Sequence, residues 1–233
     1  MGSDPQGLTP RAMGETTKVK ICGLKTEAAL ETALSGGADY VGLVFFPPSP
    51  RDLTPAVAKP LAAKARGRAR IVALMVDPDD ALLDAVVAAV DPDLLQLHGE
   101  ESPERVAEVR RRWAKPVMKA VKVETAQDAE AALRYRGIAD LILFDARPPR
   151  GSPLPGGNGA PFDWRALAEV KDKVAYMLSG GLTPDNVSEA IRVTGAAIVD
   201  VSSGVEVRPG EKDPELIRRF LRAVKTANQA AQT

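Results

Sequence analysis

From residue 18 onward the sequence repeats one pattern eight times: a short apolar, β-branched run, then a loop, then a segment with helical periodicity. The eight runs are KVKICG (18–23), YVGLVFF (40–46), RIVALMV (70–76), LLQLHG (94–99), PVMKAVKV (116–123), LILFDA (141–146), YMLSGG (176–181) and IVDVSSG (198–204). Most are continuously apolar, which is typical of parallel strands that are buried on both faces. Successive runs start 22 to 35 residues apart, so each interval has room for one helix and two turns.

The predicted helix starts share a cap in which a side-chain acceptor precedes a proline. The pairs are Thr54-Pro55, Asp77-Pro78, Ser102-Pro103, Thr183-Pro184 and Asp213-Pro214. An acceptor at the N-cap satisfies a free N–H group, and proline at the next position presets φ for the first turn. We therefore predict that a helix begins at each of these pairs.

Eight strand–helix units fit either a closed (β/α)8 barrel or an open doubly wound sheet. The open sheet usually binds a nucleotide through a G-x-G-x-x-G motif after its first strand, and CGLKTEAAL (22–30) lacks that motif. Glycine pairs instead follow the seventh and eighth runs, where barrels place a phosphate site. We predict a single (β/α)8 TIM barrel over residues 18–228, with disordered segments at 1–17 and 229–233.

Composition excludes several classes of partner. The net charge is zero and 27% of residues are charged, so the chain has no basic footprint for nucleic acid or an anionic membrane. No apolar run approaches the roughly 20 residues that span a bilayer. The single cysteine cannot form an intrachain disulfide, which favours a reducing, cytoplasmic location. The sequence does not indicate an oligomeric state.

The functional residues of a (β/α)8 barrel lie at the carboxyl ends of its strands. The only cysteine, Cys22, ends the first run, the only histidine, His98, ends the fourth, and Asp145 ends the sixth. Taken singly, a lone cysteine is more often a small buried hydrophobe and a lone histidine more often a capping donor, while an aspartate is as often a loop cap as a functional group. Their meeting at one rim, opposite two glycine turns, instead favours acid–base chemistry on a carbon skeleton.

Motifs for other chemistries are absent from the sequence. One cysteine and one histidine, without an H-x-x-x-H or C-x-x-C pair, cannot supply a zinc site without several carboxylates, so we predict no metal. There is no G-x-x-x-x-G-K-[ST] motif for a nucleoside triphosphate and no G-x-S-x-G motif for acyl transfer.

Seven motifs, in order between about Lys18 and Lys225, make the sequence resemble the phosphoribosylanthranilate isomerases of tryptophan biosynthesis. They are KICGLKT (20–26), GLVFFPPSPR (42–51), QLHGEE (96–101), LFDA (143–146), GGNGAPFDW (156–164), LSGGLTPDNV (178–187) and DVSSGVEVRPGEKD (200–213). The resemblance implies a single cofactor-free barrel. It also implies an Amadori rearrangement of N-(5-phosphoribosyl)anthranilate to 1-(2-carboxyphenylamino)-1-deoxyribulose 5-phosphate.

The resemblance also implies roles for individual residues. The family's general base maps to Cys22 and its general acid to Asp145. The arginine that holds the anthranilate carboxylate maps to Arg51, which on its own would read as a solvated charge. His98 and Asp200 map to further residues of the substrate pocket.

The phosphate of the substrate is expected on main-chain N–H groups of the loops after strands six, seven and eight. The residues concerned are Gly157, Asn158, Gly159, Gly180, Gly181, Ser203 and Gly204. Many members of the family have lysine where this chain has Ala160, so we expect backbone N–H groups to hold more of the anion here.

Two alternatives remain open at this stage. The chain could be another sugar-phosphate isomerase built on the same barrel, although the relatives concerned use lysine, glutamate or aspartate rather than a cysteine base. It could also be a non-catalytic barrel that binds a phosphorylated ligand, with Cys22 as a redox sensor. A sensor thiol usually has a resolving partner, and this chain has no second cysteine.

Overall fold

The computed structural model describes residues 16–148, 151, 156 and 161–230. Eight parallel strands pair in sequence order and the last pairs with the first, so the sheet closes into a barrel. The strands are β1 (Lys18–Cys22), β2 (Tyr40–Phe45), β3 (Arg70–Met75), β4 (Leu94–Leu97), β5 (Val117–Val123), β6 (Leu141–Ala146), β7 (Tyr176–Leu178) and β8 (Ile198–Val201). The predicted (β/α)8 barrel is confirmed, with every predicted strand in place.

Helices lie on the outside of the barrel and connect its strands. They are α1 (Glu27–Ser35), α2 (Pro55–Ala65), α3 (Asp80–Val90), α4 (Pro103–Trp113), α5 (Ala126–Glu130), α6 (Val187–Thr194) and α7 (Pro214–Ala230). A short hairpin, β9 (Glu206–Arg208) and β10 (Glu211–Lys212), interrupts the connection from β8 to α7. In the described residues between β6 and β7, the only helical element is the 3-10 turn Trp164–Leu167.

Three of the five predicted caps are confirmed. Thr54 and Ser102 accept the N–H groups of Val57 and Arg105, and proline occupies the first turn behind each. Asp213 accepts the N–H of Glu215 at 2.7 Å, at the start of α7.

The other two predicted caps are wrong. α3 begins three residues after Asp77, which lies in the left-handed region (φ 44°) and accepts the N–H of Glu100 across the rim. Asp79 is the actual cap. Thr183 Oγ1 accepts the N–H of Asp185 at 3.3 Å, and the Thr183 carbonyl accepts those of Asn186 and Val187, in a turn that precedes α6. In both cases the proline lies in a loop. The side chain before it accepts a hydrogen bond from a loop residue and does not cap the helix.

The strands are buried on both faces, which explains their continuous apolar sequence. Their outer faces pack on the helices. The lower half of the barrel interior is filled by apolar side chains such as Tyr40, Met118 and Met177. Above that layer lies a buried ion pair between Lys20 and Asp200 on the adjacent strands β1 and β8, and the pocket begins there.

The fold extends slightly beyond the predicted 18–228. Thr17 exchanges hydrogen bonds with Asn228 and donates to the carbonyl of Ala196, and α7 runs through Ala230. The predicted disorder of the remaining terminal residues lies outside the described part of the chain. Among the described residues, no helix is both long and apolar enough to cross a membrane.

Candidate active site

A cavity that is open to solvent lies at the carboxyl ends of the strands. Residues from every barrel strand or following loop except those of β5 line it. The predicted residues in its wall are Cys22, Arg51, His98, Asp145, Gly180, Gly181, Asp200 and Ser203. Gly204 is adjacent, while Gly157, Asn158 and Gly159 lie outside the described residues.

Cys22 lies beside the buried ion pair of the barrel interior. Lys20 Nζ donates to Asp200 Oδ1 at 2.9 Å, and Ser179 Oγ donates to Asp200 Oδ2 at 3.1 Å. Lys20 and Asp200 are direct partners in the β1–β8 register, so closure of the barrel brings these charges together. Asp200 is thus in the pocket wall with both carboxylate oxygens engaged.

The electrostatic environment of the Cys22 thiol contains opposing effects. Burial raises the pKa of Cys22, Lys20 and Lys212 lower it, and Asp200 raises it, which leaves that pKa above its usual value. Burial alone would lower the pKa of Lys20, but Asp200 and Cys22 outweigh it and raise that pKa. The free site therefore holds a neutral thiol next to a charged ammonium.

A glycine makes room for this arrangement. A Cβ atom built on Gly42 would lie 2.8 Å from Cys22 Sγ and 3.2 Å from Lys20 Cε. Gly42 also pairs with Cys22 in the β1–β2 register. No larger residue fits between the strands here without displacing the thiol.

Asp145 and His98 form a second buried group in the same cavity. Asp145 Oδ1 accepts the N–H of Ala146 at 3.0 Å, and its Oδ2 lies 3.2 Å from His98 Nε2. Gln96 Nε2 donates to His98 Nδ1 at 2.9 Å, so Nδ1 is the acceptor in that bond. The contact between Nε2 and Asp145 lacks hydrogen-bond alignment, which leaves Nε2 unpartnered among the described residues.

Gly156 covers this pair. A Cβ atom at Gly156 would lie 2.6 Å from both Asp145 Oδ2 and His98 Nε2. The glycine-rich segment after β6 therefore reaches the candidate acid, at a residue one position before those predicted to hold phosphate.

Arg51 is buried in the pocket wall and is already bound to a carboxylate. Its Nε and Nη2 each donate to one oxygen of Glu206 at 2.8 Å. Nη1 has no partner among the described residues. Arg51 is thus not a solvated charge, and one edge of its guanidinium is already occupied by Glu206.

Backbone N–H groups of the loops after β7 and β8 line the opposite part of the cavity. Those of Gly180, Gly181 and Ser203 donate to nothing in the described part of the chain. Gly180 and Gly181 have φ of 86° and 65°, a region that glycine adopts without strain. A Cβ atom on Gly204 would lie 1.9 Å from the carbonyl oxygen of Leu182, so these two loops touch at that glycine.

Sequence reasoning missed several residues of the site. Those without a predicted role are Lys20, Gly42, Gln96, Gly156, Ser179, Glu206 and Lys212. An available signal was the presence of Lys20 and Gln96 within otherwise apolar runs, which marks inward-facing polar side chains. Within the described residues, no group of three or more His, Cys, Asp or Glu side chains is placed to hold a metal ion.

The comparisons with known proteins point to one family. A family model described as N-(5'-phosphoribosyl)anthranilate (PRA) isomerase matches residues 19–223. The N-(5'-phosphoribosyl)anthranilate isomerase of Brucella canis is 56% identical over 210 residues, which is 90% of this chain and 95% of that protein.

Solved structures agree with the sequence matches. The phosphoribosyl anthranilate isomerase of Thermotoga maritima superposes with a TM-score of 0.82 at 35% identity, covering 91% of this chain and all of that one. A phosphoribosyl anthranilate isomerase in complex with reduced 1-(o-carboxyphenylamino)-1-deoxyribulose 5-phosphate gives a TM-score of 0.79 at 34% identity, with the same coverage.

Proposed function

The chain belongs to the phosphoribosylanthranilate isomerase family, and we propose that Cys22 and Asp145 are the general base and general acid of its reaction. That reaction is the Amadori rearrangement of N-(5-phosphoribosyl)anthranilate in tryptophan biosynthesis. The observation that carries the residue assignment is the shared cavity. It holds the chain's only thiol and a buried carboxyl group, with Arg51 also in its wall, and beside them N–H groups that have no partner among the described residues.

The first step is opening of the ribose ring. Asp145, in its protonated form, transfers its proton to the ring oxygen while the bond from C1 to that oxygen breaks. The anilino nitrogen supplies the electron pair that forms the C1=N bond, which gives an iminium ion and a free hydroxyl group. General acid catalysis of such a step is typically worth about 10²–10⁴ in rate.

The second step is removal of the proton on C2. The iminium acidifies that C–H bond, and the thiolate of Cys22 takes the proton while the electron pair moves toward nitrogen. The resulting enolamine then tautomerises to the ketone. The positive iminium favours the thiolate, because an opposite charge nearby stabilises the ionised form.

The cavity has a suitable wall for each part of the substrate. Val44, Phe46 and Leu74 form an apolar surface close to Cys22, and it suits the anthranilate ring. Arg51 lies in the same part of the wall and suits the carboxylate. The N–H groups of Gly180, Gly181 and Ser203 suit the phosphate, for which main-chain donors in barrels are common.

The test is turnover of freshly generated phosphoribosylanthranilate, followed by the decay of its anthranilate fluorescence. Cys22→Ala and Asp145→Asn should each lower kcat by about 10²–10⁴, while affinity for the reduced product analogue changes only a few-fold. A variant that turns over at nearly the wild-type rate would remove that residue from the mechanism.

We also expect the enzyme to work in the cytoplasm. The proposed base is the chain's single free thiol, and a reducing compartment keeps it from oxidation.

A further inference from the structure

One edge of the Arg51 guanidinium is occupied by the carboxylate of Glu206. Its Nε and Nη2 bind the two oxygens of Glu206 side by side, and the two side chains are only 7% and 3% exposed. This paired geometry fixes the plane of the guanidinium as well as its position. The edge between Nη1 and Nη2 is the one that remains for a second carboxylate.

Glu206 is itself held firmly. Lys212 Nζ donates to its Oε1 at 2.6 Å, and the N–H of Gly210 donates to its Oε2 at 3.2 Å. Lys212 is 2% exposed and also donates to the carbonyl of Ser202 at 2.9 Å. Arg51 and Lys212 outweigh the effect of burial and keep the pKa of Glu206 below its usual value, so the side chain is a carboxylate.

The hairpin that carries Glu206 is docked on the loop that carries Arg51. Gly210 lies in the left-handed region (φ 83°), where a Cβ atom would be 2.4 Å from the carbonyl oxygen of Pro50. Lys25 donates to that same oxygen at 2.8 Å. The hairpin therefore packs on the loop that carries Arg51 at Pro50, and Lys25 links that loop to the one after β1.

We propose that Glu206 is a positioning residue for the isomerase: it orients Arg51 so that the Nη1–Nη2 edge receives the carboxylate of the substrate. This inference rests on the proposed role of Arg51. Glu206 also offsets positive charge, because it pairs with both Arg51 and Lys212. Holding the receptor in place beforehand reduces the ordering cost of binding.

The test compares two ligands on Glu206→Gln. One is the reduced product analogue, and the other is the same molecule without its benzoate carboxyl group. An amide cannot accept on both atoms, so the fork to Arg51 is lost. We expect affinity for the carboxylated analogue to fall roughly tenfold or more, and affinity for the decarboxylated analogue to change less than about twofold.

Glu211→Gln is the matched control. Glu211 lies on the same hairpin, pairs with the exposed Arg208, and undergoes the same chemical change, so both affinities should stay unchanged. If Glu206→Gln weakens both analogues equally, Glu206 merely maintains the shape of the pocket, and the proposal is wrong. Unchanged affinity for the carboxylated analogue would also overturn it.

Arg51→Ala separates this inference from the proposed function. If Arg51→Ala no longer discriminates the two analogues and Glu206→Gln still does, Arg51 binds the carboxylate without help, and only the positioning role fails. If Arg51→Ala still discriminates them, the role of Arg51 itself fails. Should Glu206→Gln not fold, Glu206→Asp retains the charge with a shorter reach, and we expect it to lose discrimination partially.

Discussion

As the proposed base, Cys22 acts from a buried position, and its neighbours have opposing effects on the pKa of its thiol. Burial and Asp200 favour the neutral thiol, whereas Lys20 and Lys212 favour the thiolate. The charge of Lys20 is largely balanced by its hydrogen bond to Asp200. The free enzyme therefore stabilises the thiolate weakly, and formation of the iminium in the substrate supplies the missing positive charge.

This balance predicts the pH dependence of the reaction. Because the thiol pKa is raised in the free enzyme and the thiolate is the active form, kcat/KM of Asp145→Asn, which has no acid to titrate in that position, should increase with pH through a pKa above the ordinary value of about 8.5. The corresponding limb of kcat should lie at lower pH, since the bound iminium favours the thiolate. Profiles of both constants against pH give this comparison.

An independent measurement is the alkylation rate of the free enzyme. The chain has one cysteine, so the pH dependence of iodoacetamide inactivation reports Cys22 alone. The unfolded chain serves as the reference for an ordinary thiol. An inactivation pKa below that reference would contradict the prediction and place a stronger positive charge at the thiol than Lys20 and Lys212 provide.

At the scale of elements, the loop after β6 lies against the proposed acid, Asp145, at Gly156. Gly156→Ala should lower kcat by more than about tenfold, because its Cβ would lie 2.6 Å from both Asp145 Oδ2 and His98 Nε2. These are ends of side chains that can turn away, so the free energy of unfolding should change by less than about 1 kcal/mol. Substrate turnover and denaturant unfolding measure the two effects.

Gly151→Ala provides the control for that substitution. Gly151 precedes Gly156 in the same segment, and its Cβ would meet nothing within 4 Å. Its φ of 81° makes alanine strained there, so a small loss of stability with unchanged kcat is expected. Equal kcat in the wild type and Gly156→Ala would show that the acid and histidine are not held by this contact.

Strands and helices differ in how far the sequence predicted them. Strands could be located from apolar runs, because burial on both faces leaves little freedom of residue type. Caps were less certain, since an acceptor followed by proline also suits a loop: Asp77 accepts from Glu100 instead of capping α3. The residue at which a helix begins therefore depends on contacts between loops, and the residue pattern of one segment does not show those contacts.

The same limit applies to the site. Cys22, His98 and Asp145 were found because each is the distinctive residue at the end of a strand. Glu206 was not, because its partner Arg51 is 155 residues away and nothing near it in the chain indicates the contact. The pairing of Glu206 with Arg51 is evident only in the closed barrel, where the loops after β2 and β8 lie at the same rim.

At the scale of the whole molecule, closure of the barrel is linked to a charge pair. Lys20 and Asp200 are 180 residues apart and face each other only because β1 pairs with β8. In an open sheet these strands would be at separate edges, and each charge would be buried without its partner. Removal of one member of a buried pair typically costs about 3–5 kcal/mol.

A double-mutant cycle tests the link between this ion pair and closure of the barrel. Lys20→Met should lower the free energy of unfolding by about 3–5 kcal/mol, because Asp200 remains buried with the Ser179 hydroxyl as its one hydrogen-bond donor among the described residues. Adding Asp200→Leu should restore most of that loss, since an apolar pair of similar volume avoids the unpaired charge. Denaturant unfolding of the four proteins gives the coupling energy.

Arg192→Met is the control for a pair that does not close the barrel. Arg192 and Glu189 form an exposed pair on α6, and its loss should change stability by no more than about 1 kcal/mol. If the losses from Lys20→Met and Asp200→Leu simply add, the two charges act independently. Closure would then depend on apolar packing of β1 against β8 alone. A strong coupling instead makes the ion pair beneath Cys22 part of what joins the first strand to the last, so the element that closes the barrel also sets the charge around the base.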